Sequence, residues 1–193
     1  MKPKILAFGH KSRTGKDTAT KILIDHVNNK YPDIKIERRA FADAVKNVSY
    51  TLYGCQGLKS REYCDKHPEA RSEIIPALGM DTVEVWVAVG NKMRDVYPAT
   101  WIDIALLDCK ADIVIISDLR YPNEADRIHQ LGGACVKMER KAAAIRDTVA
   151  DKALDDYTSW DKIMQNDSTT DALKQQLVSY FGELGWVYNI IAV

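Results

Sequence analysis

The sequence has no excess of charge of either sign. Lysine and arginine together number 27, and aspartate and glutamate also number 27. A protein that binds nucleic acid non-specifically normally carries a basic excess, so this balance disfavours that class. The 193 residues are 46% apolar, which is typical of a globular chain and enough for one sizeable domain. We therefore expect a single domain over residues 1–193 that binds small molecules and does not bind nucleic acid directly.

Paired cysteines and long apolar runs are also lacking, and we expect no secretory leader. Cys55, Cys64, Cys109 and Cys135 include no C-x-x-C pair, which disfavours a disulfide framework. No apolar run approaches the ~20 residues that a membrane-spanning helix needs. We therefore expect a soluble, cytoplasmic protein without membrane contact. Cys55, Cys64 and His67 have an irregular spacing for a zinc site, which we interpret as ordinary thiols and a surface histidine.

The first half of the chain alternates strand and helix patterns. A short apolar strand is predicted over 4–8, and a second strand with alternating polarity over 34–41. Apolar residues at helical spacing predict helices over 16–29, 43–53, 71–77, 82–96 and 99–109. The segment 54–70 is polar and dense in charge, which suits a mobile flap or a short helical insertion.

The second half contains the clearest strand. The β-branched run 112–117 is continuous, as in a parallel strand that is buried on both faces. A helix is predicted from Pro122 to Leu131, and another strand over 134–139. This alternation predicts a doubly wound, mainly parallel α/β sheet that binds ligands at the carboxyl ends of its strands. Gly9 and Asp118 both lie at such ends.

The loop after the first strand is a candidate phosphate-binding loop. Its residues are Gly9, His10, Lys11, Ser12, Arg13, Thr14, Gly15, Lys16, Asp17 and Thr18. In the pattern G-x-x-x-x-G-K-[ST], the glycines let backbone N–H groups surround phosphate oxygens, and the lysine neutralises their charge. Here five residues separate Gly9 from Gly15 instead of four, and Asp17 replaces the usual hydroxyl residue. The position between a buried strand and an amphipathic helix favours a phosphate loop over a surface turn.

A second set of candidate residues follows the strand 112–117. A carboxylate such as Asp118 can hold Mg²⁺ through water, and an arginine such as Arg120 can bind phosphate through two nitrogens. The structural alternative is an aspartate cap next to a surface arginine. Together with Lys16, these residues predict a phosphoryl-transfer site in which Lys16, Asp118 and Arg120 are catalytic.

Several segments resemble those of the phage-type deoxynucleoside monophosphate kinases. They are Gly15-Lys16-Asp17-Thr18, Arg39 to Asp43 with Lys46, Gly90 to Arg94 with Pro98 and Trp101, the run Asp118-Leu119-Arg120-Tyr121-Pro122-Asn123-Glu124-Ala125, Leu154-Asp155, Trp160-Asp161 and Asn166-Asp167. The resemblance extends from residue 4 to about residue 177, and the run from Asp118 is its most specific part. It implies a P-loop NTPase fold with helical acceptor-binding and lid insertions at about 54–110 and 139–152. It also implies ATP- and Mg²⁺-dependent phosphorylation of deoxynucleoside 5′-monophosphates to diphosphates, in the host cytoplasm if the protein is phage-encoded.

The resemblance also implies roles for individual residues. The loop 9–18 and Arg140 would bind the ATP phosphates, with Thr18 and Asp118 as metal ligands and Thr14 as a further candidate. Asp43, Lys46, Arg94, Trp101 and Arg120 would bind the acceptor, although Trp101 equally suits the core. Arg140, Lys141 and Arg146 would close over the transferred group, or form a solvated charged surface. Asn123 and Glu124 would cap and orient the helix that presents Arg120.

Two other functions and one feature of assembly follow from the same residues. Another P-loop kinase for a small molecule would need the same loop, and so would a non-catalytic nucleotide-binding regulatory protein. The tail 181–193 is unusually apolar, so we expect it to complete the sheet or to bury against another subunit, as in a homodimer.

Overall fold

The computed structural model describes residues 2–143 and 149–191. The chain divides into two compact units, unit 1 (Met1–Ala40 with Asp108–Val193) and unit 2 (Phe41–Leu107). The strands are β1 (Lys4–Gly9), β2 (Ile36–Arg39), β3 (Ile74–Ile75), β4 (Met80–Asp81), β5 (Ile113–Leu119), β6 (Ala134–Glu139) and β7 (Lys162–Gln165). The α-helices are α1 (Lys16–Lys30), α2 (Phe41–Tyr53), α3 (Arg61–Lys66), α4 (Thr82–Val96), α5 (Thr100–Leu106), α6 (Pro122–Gln130), α7 (Val149–Lys152), α8 (Thr170–Glu183) and α9 (Trp186–Ile191).

Unit 1 is built on a five-stranded sheet in the order β2-β5-β1-β6-β7, in which every pairing is parallel. Leu6 and Phe8 of β1 point to one face, where they share a buried core with Leu23 of α1 and Leu177 of α8. On the other face, Ile5 lies close to the segment that follows α6. Helices therefore cover both faces, and the predicted α/β fold with a doubly wound parallel sheet is confirmed.

The sheet brings the two candidate segments to one edge. Gly9, the last residue of β1, is in register with Leu119, the last residue of β5. Because neighbouring parallel strands end at the same edge, the loop after β1 and Arg120 after β5 leave the sheet side by side.

In unit 2, the prediction of a helix over 71–77 was wrong. A short 3₁₀ helix ends at Ser72, and β3 then pairs antiparallel with β4. The N–H groups of Leu78 and Gly79 both donate to the carbonyl oxygen of Ile75, and Gly79 has φ 63°. A proline at position 76 and this glycine favour a turn over a continued helix.

Other elements of unit 2 agree with their sequence patterns. The helix α4 spans the predicted residues, and Asp81 caps it by accepting from the Glu84 N–H at 2.8 Å, while Glu84 accepts from the Asp81 N–H at 2.8 Å. The segment 54–70 contains α3 and two short 3₁₀ helices, so it has the helical form of the two alternatives considered.

Over its described part, the apolar tail does not complete the sheet and is largely buried, although Tyr188 is 72% exposed. It forms the end of α8 and then α9, and Phe181, Trp186 and Val187 are buried in the core of unit 1. The rings of Phe181 and Trp186 meet edge to face, with centroids 6.4 Å apart. Within residues 2–143 and 149–191, no helix is long and apolar enough to cross a membrane.

Candidate active site

The loop after β1 has a sharply turned backbone. Gly15 has φ 98°, and two residues with side chains, His10 and Arg13, also have positive φ, at 82° and 60°. A Cβ atom at Gly9 would lie 2.7 Å from the ring of Trp160, and one at Gly15 would lie 2.2 Å from Nδ2 of Asn166. Close packing therefore requires both glycines, and the positive φ of Gly15 requires glycine there for the path of the loop as well.

Lys16 is the first residue of α1, and its side chain folds back into the loop. Its Nζ donates to the carbonyl oxygens of His10, at 3.3 Å, and of Lys11, and Lys16 is only 6% exposed. Burial, and secondarily the charge of Arg120, lowers the pKa of Lys16 to about 8. The ammonium group thus lies within a turn of backbone where an anion would relieve the cost of its burial.

Arg120 joins the end of β5 to the same loop. Its Nη1 donates to the His10 carbonyl oxygen at 2.8 Å, and its Nη2 lies 3.3 Å from the Ser12 hydroxyl. The backbone N–H groups of Arg120 and Tyr121 donate to Oε2 of Glu124 at 3.0 and 3.1 Å, and Glu124 is 2% exposed. The structure therefore brings together Lys16 and Arg120, and Glu124 holds the backbone that presents the arginine.

A carboxylate completes this arrangement. Asp151 of α7 accepts from the Ser12 N–H at 3.0 Å, from the Ser12 hydroxyl at 2.9 Å and from Arg120 Nη1 at 2.6 Å. Asp151 is 4% exposed, so the ion pair with Arg120 lies largely out of solvent. Charge-assisted hydrogen bonds of this kind fix the position of the guanidinium group.

The outer side of the loop carries a second carboxylate. Asp155 Oδ1 lies 3.1 Å from His10 Nε2 and 3.1 Å from Lys11 Nζ. The Lys11 and His10 hydrogen bonds lower the pKa of Asp155, whereas burial lowers the pKa of His10. These directions favour an ionised Asp155 that accepts from a neutral imidazole.

The residues predicted for the metal and the lid lie at several positions. Asp118 is half-buried near the end of β5, and its carboxylate is the type of hard oxygen ligand that suits Mg²⁺. Thr18 is exposed on α1, whereas the Thr14 hydroxyl is buried and donates to the Lys11 carbonyl oxygen at 3.0 Å. Among Thr14, Thr18 and Asp118, only Asp118 offers a carboxylate for Mg²⁺. The side chains of Arg13, Asp17, Arg140 and Lys141 are exposed, and Arg146 lies outside the described residues.

The predicted acceptor residues of unit 2 lie among charged and aromatic groups. Asp43 pairs with Arg61 at 3.0 Å, and Lys46 Nζ lies 5.2 Å above the centre of the Trp86 ring. Arg94 Nη1 lies 3.3 Å from Asn91 Oδ1.

Trp101 is 1% exposed, and its indole N–H donates to the Gly90 carbonyl oxygen at 2.9 Å. This geometry matches the core alternative for Trp101.

A further cluster lies at the opposite edge of the sheet in unit 1. Within the described ranges, His129, Cys135 and Asp161 form the one group of three side chains spaced closely enough to hold a metal ion. Asp161 Oδ2 already accepts from the Cys135 N–H at 2.7 Å and lies 2.8 Å from His129 Nε2, and burial raises the pKa of the Cys135 thiol. We interpret this cluster as a structural hydrogen-bond network. Cys55, Cys64 and His67 do not belong to this group.

The contacts of the candidate residues that sequence reasoning missed are those with Asp151, Arg61 and Trp86. Asp155 and Asn166 belong to segments with the family resemblance, which assigned them no role; Asn166 Nδ2 donates to the Thr14 carbonyl oxygen at 3.0 Å. Because their segments resemble those of the kinase family, Asp155 and Asn166 could have been expected to lie beside the loop after β1. Asp151 has no such signal, because it is a single carboxylate in a charged stretch.

Comparison with known proteins gives a sequence relative and structures of similar fold. No protein-family model matches the chain. A protein of Acanthamoeba polyphaga mimivirus, described as "Putative deoxynucleotide monophosphate kinase", is 37% identical over 67 residues, which is 34% of this chain. The match spans only 35% of that relative's own length.

Among solved structures, TT1252 from Thermus thermophilus superposes with a TM-score of 0.50 at 13% identity, covering 95% of this chain and 99% of its own. A structure from Chloroflexus aurantiacus J-10-fl, described as "a putative kinase", has a TM-score of 0.41 at 14% identity, covering 94% of this chain and 97% of its own. The likeness to TT1252 is a likeness of fold alone.

Proposed function

We propose that this protein is a kinase that transfers the γ-phosphoryl group of ATP to a deoxynucleoside 5′-monophosphate, giving the diphosphate and ADP. The observation that carries this function is the meeting of Lys16 and Arg120 at the turned loop after β1, where both cations contact the carbonyl oxygen of His10. Support for the acceptor class comes from the name of the mimivirus relative and from the resemblance of the run 118–125.

The donor side of the site lies in unit 1. Backbone N–H groups of the loop and the positive end of α1 suit the β and γ phosphates of ATP. Lys16 would exchange its carbonyl partners for phosphate oxygens, because a buried ammonium group gains most from an anion. Asp118, with Thr18 as the second candidate, would hold Mg²⁺, which supplies neutralisation of phosphate charge.

We assign the acceptor side to residues of unit 2. Asp43, Lys46 and Arg94 supply one carboxylate and two cations, which are the groups needed to bind the sugar and the phosphate of a monophosphate. Lys46 is 19% exposed at its side chain and Asp43 is 25% exposed, so both remain partly accessible to a ligand. Trp101 lies in the core and donates to the Gly90 carbonyl oxygen of α4, the helix that carries Arg94.

The chemical step needs no covalent intermediate. An oxygen of the acceptor phosphate attacks the γ-phosphorus of ATP, and the bond from that phosphorus to the bridging oxygen breaks as ADP leaves. Arg120 would stabilise the charge that develops on the transferred group, and Lys16 would stabilise the leaving phosphate. Catalysis thus consists of positioning and charge stabilisation.

The test is release of ADP from ATP in the presence of each common deoxynucleoside monophosphate and its ribose counterpart. We expect turnover with at least one deoxynucleotide, and a loss of at least about a hundredfold in Lys16→Ala. The matched control is Lys21→Ala, which removes an exposed lysine from the same helix.

Two outcomes would contradict the proposed function. Turnover only with an acceptor that is not a nucleotide would assign the chain to another class of small-molecule kinase. ATP binding that depends on Lys16, without transfer to any acceptor, would identify a nucleotide-binding regulatory protein.

A further inference from the structure

The carboxylate of Asp151 occupies the groups that an anionic ligand of the loop would use. It accepts hydrogen bonds from the backbone N–H of Ser12, from the Ser12 hydroxyl and from Arg120. A backbone amide, a hydroxyl and a guanidinium group are the donors that typically hold a phosphate oxygen. In the described structure all three of these donors are directed at a side chain of the protein itself.

Asp151 and a bound phosphate cannot share these donors. Each is anionic, and two anions at hydrogen-bonding distance from the same groups repel each other strongly where water is scarce. Asp151 is 4% exposed, so solvent does little to screen that repulsion. A phosphate that takes the Ser12 N–H must therefore displace the carboxylate.

The helix that carries Asp151 is built in a way that permits this displacement. It has four residues, Val149–Lys152, and Asp151 is its one buried residue, whereas Val149 is 79% exposed. Releasing α7 from the loop would break polar contacts that the solvent can replace, and α7 itself buries no large apolar side chain. Such a segment belongs to the low-stability end of a fold.

We propose that Asp151 is an internal anion that holds the empty phosphate loop and is expelled when the phosphates of a ligand bind. This role of Asp151 rests on the proposed function, because it requires that the loop binds nucleotide phosphates. The carboxylate keeps Ser12 and Arg120 in place in the empty site. In return, it lowers the affinity of every ligand that needs the same donors. The dissociation constant of each such ligand rises by one common factor, which is the inverse of the fraction of molecules in which Asp151 has left the loop.

The test is calorimetric titration of Asp151→Asn with tripolyphosphate, ATP and adenosine at fixed ionic strength. The amide keeps the size of the side chain but removes its negative charge. We expect tripolyphosphate and ATP to bind more tightly by a similar factor, on the order of tenfold, while adenosine is unaffected. The control is Asp156→Asn, which removes an exposed carboxylate from the same stretch of chain and should change binding less than about twofold.

A result in which Asp151→Asn binds tripolyphosphate no better than Asp156→Asn does, or more weakly, would overturn the displacement and leave Asp151 as a residue that only positions Arg120.

If Asp151→Asn does not fold, a second variant tests the same point. Ser12→Cys with Asp151→Cys, in a Cys55→Ser background, joins the two positions by a disulfide when oxidised. The oxidised form should lose tripolyphosphate binding and regain it on reduction; equal binding in both forms would overturn the displacement.

Failure of the displacement and failure of the proposed function give different results. If the wild-type protein binds neither tripolyphosphate nor ATP, the loop is not a nucleotide site, and both are overturned. If Asp151→Asn tightens tripolyphosphate binding but no deoxynucleotide is phosphorylated, the displacement stands and the acceptor assignment fails.

Discussion

The side-chain amide of Asn166 lies directly against Gly15, with Nδ2 donating to the Thr14 carbonyl oxygen at 3.0 Å. A Cβ atom on Gly15 would be 2.2 Å from that same Nδ2. Asn166 therefore limits the residue at position 15 to glycine and holds the turn that leads into α1.

This contact predicts a large effect of Gly15→Ala. We expect a loss of about 2–4 kcal/mol in the free energy of unfolding, because the side chain is strained at φ 98° and also collides with Asn166. Chemical denaturation measures the loss. The control is Gly132→Ala, which has φ 76° but open space around the added Cβ and so reports the backbone cost alone.

A second substitution separates the two causes. In the Gly15→Ala background, Asn166→Ala removes the colliding group and should restore about 1 kcal/mol or more beyond its effect in the wild type. Strictly additive effects of the two changes would show that the collision does not determine the loss.

The lowered pKa of Lys16 predicts proton uptake on ATP binding. With a pKa of about 8, most Lys16 side chains are neutral at about pH 9, and a bound polyphosphate favours the ammonium form. Binding should therefore take up nearly one proton at about pH 9 and much less at about pH 7, and the affinity should fall as the pH rises above about 8. Calorimetry in two buffers of different ionisation enthalpy measures this number.

Lys16→Arg is the control for that measurement, because arginine stays protonated over the whole range. Its binding heat should not depend on the buffer. A wild-type protein that takes up no proton at about pH 9 would show that Lys16 is already charged when the loop is empty.

Glu124 is predicted to act on the reaction through Arg120. In Glu124→Gln the acceptor of the Arg120 and Tyr121 N–H groups loses its charge, so both hydrogen bonds weaken. We expect kcat to fall about tenfold with a smaller change in the KM for ATP, as measured by steady-state kinetics. Asp126→Asn, on the same helix, contacts Tyr157 instead and should leave kcat unchanged. Equal effects of the two variants would indicate general destabilisation of α6.

Trp101 is predicted to contribute to stability and not to acceptor binding. In Trp101→Phe, the Gly90 carbonyl oxygen loses the indole N–H and the smaller ring leaves a gap in the core, which together cost about 1–3 kcal/mol of unfolding free energy. Thermal unfolding and the KM for the deoxynucleotide are the two measurements. An increased KM with unchanged stability would return Trp101 to the acceptor site.

The fold was largely predictable because its signals are local. The run Ile113 to Ile116 is buried throughout, as a continuous β-branched segment in a parallel sheet should be. The hairpin of β3 and β4 was missed because strands of two residues have no measurable period. β7 was missed for a related reason: it contains only four residues, of which Met164 alone is buried.

The site was predictable only where its residues belong to a local motif that follows a predicted strand. Lys16 and Arg120 follow strands that end at one edge, so their meeting could be inferred from the topology. Asp151 is 139 residues from Ser12, and Asn166 is 152 residues from Thr14. Contacts at such separations depend on how the whole chain packs. No property of the local sequence indicates which carboxylate or amide will contact the loop after β1.

The strand order has a consequence for the protein during its synthesis. β1 is made first, yet its neighbours in the sheet are β5 and β6, which begin at Ile113 and Ala134. Until β5 has been made, the backbone of β1 has no neighbouring strand to pair with. Unit 2, in contrast, is one continuous segment, so all the residues that form its internal contacts are made earlier. A ribosome pausing within unit 2 would therefore hold a nascent chain with an unpaired apolar strand, the kind of intermediate that chaperones shield from aggregation.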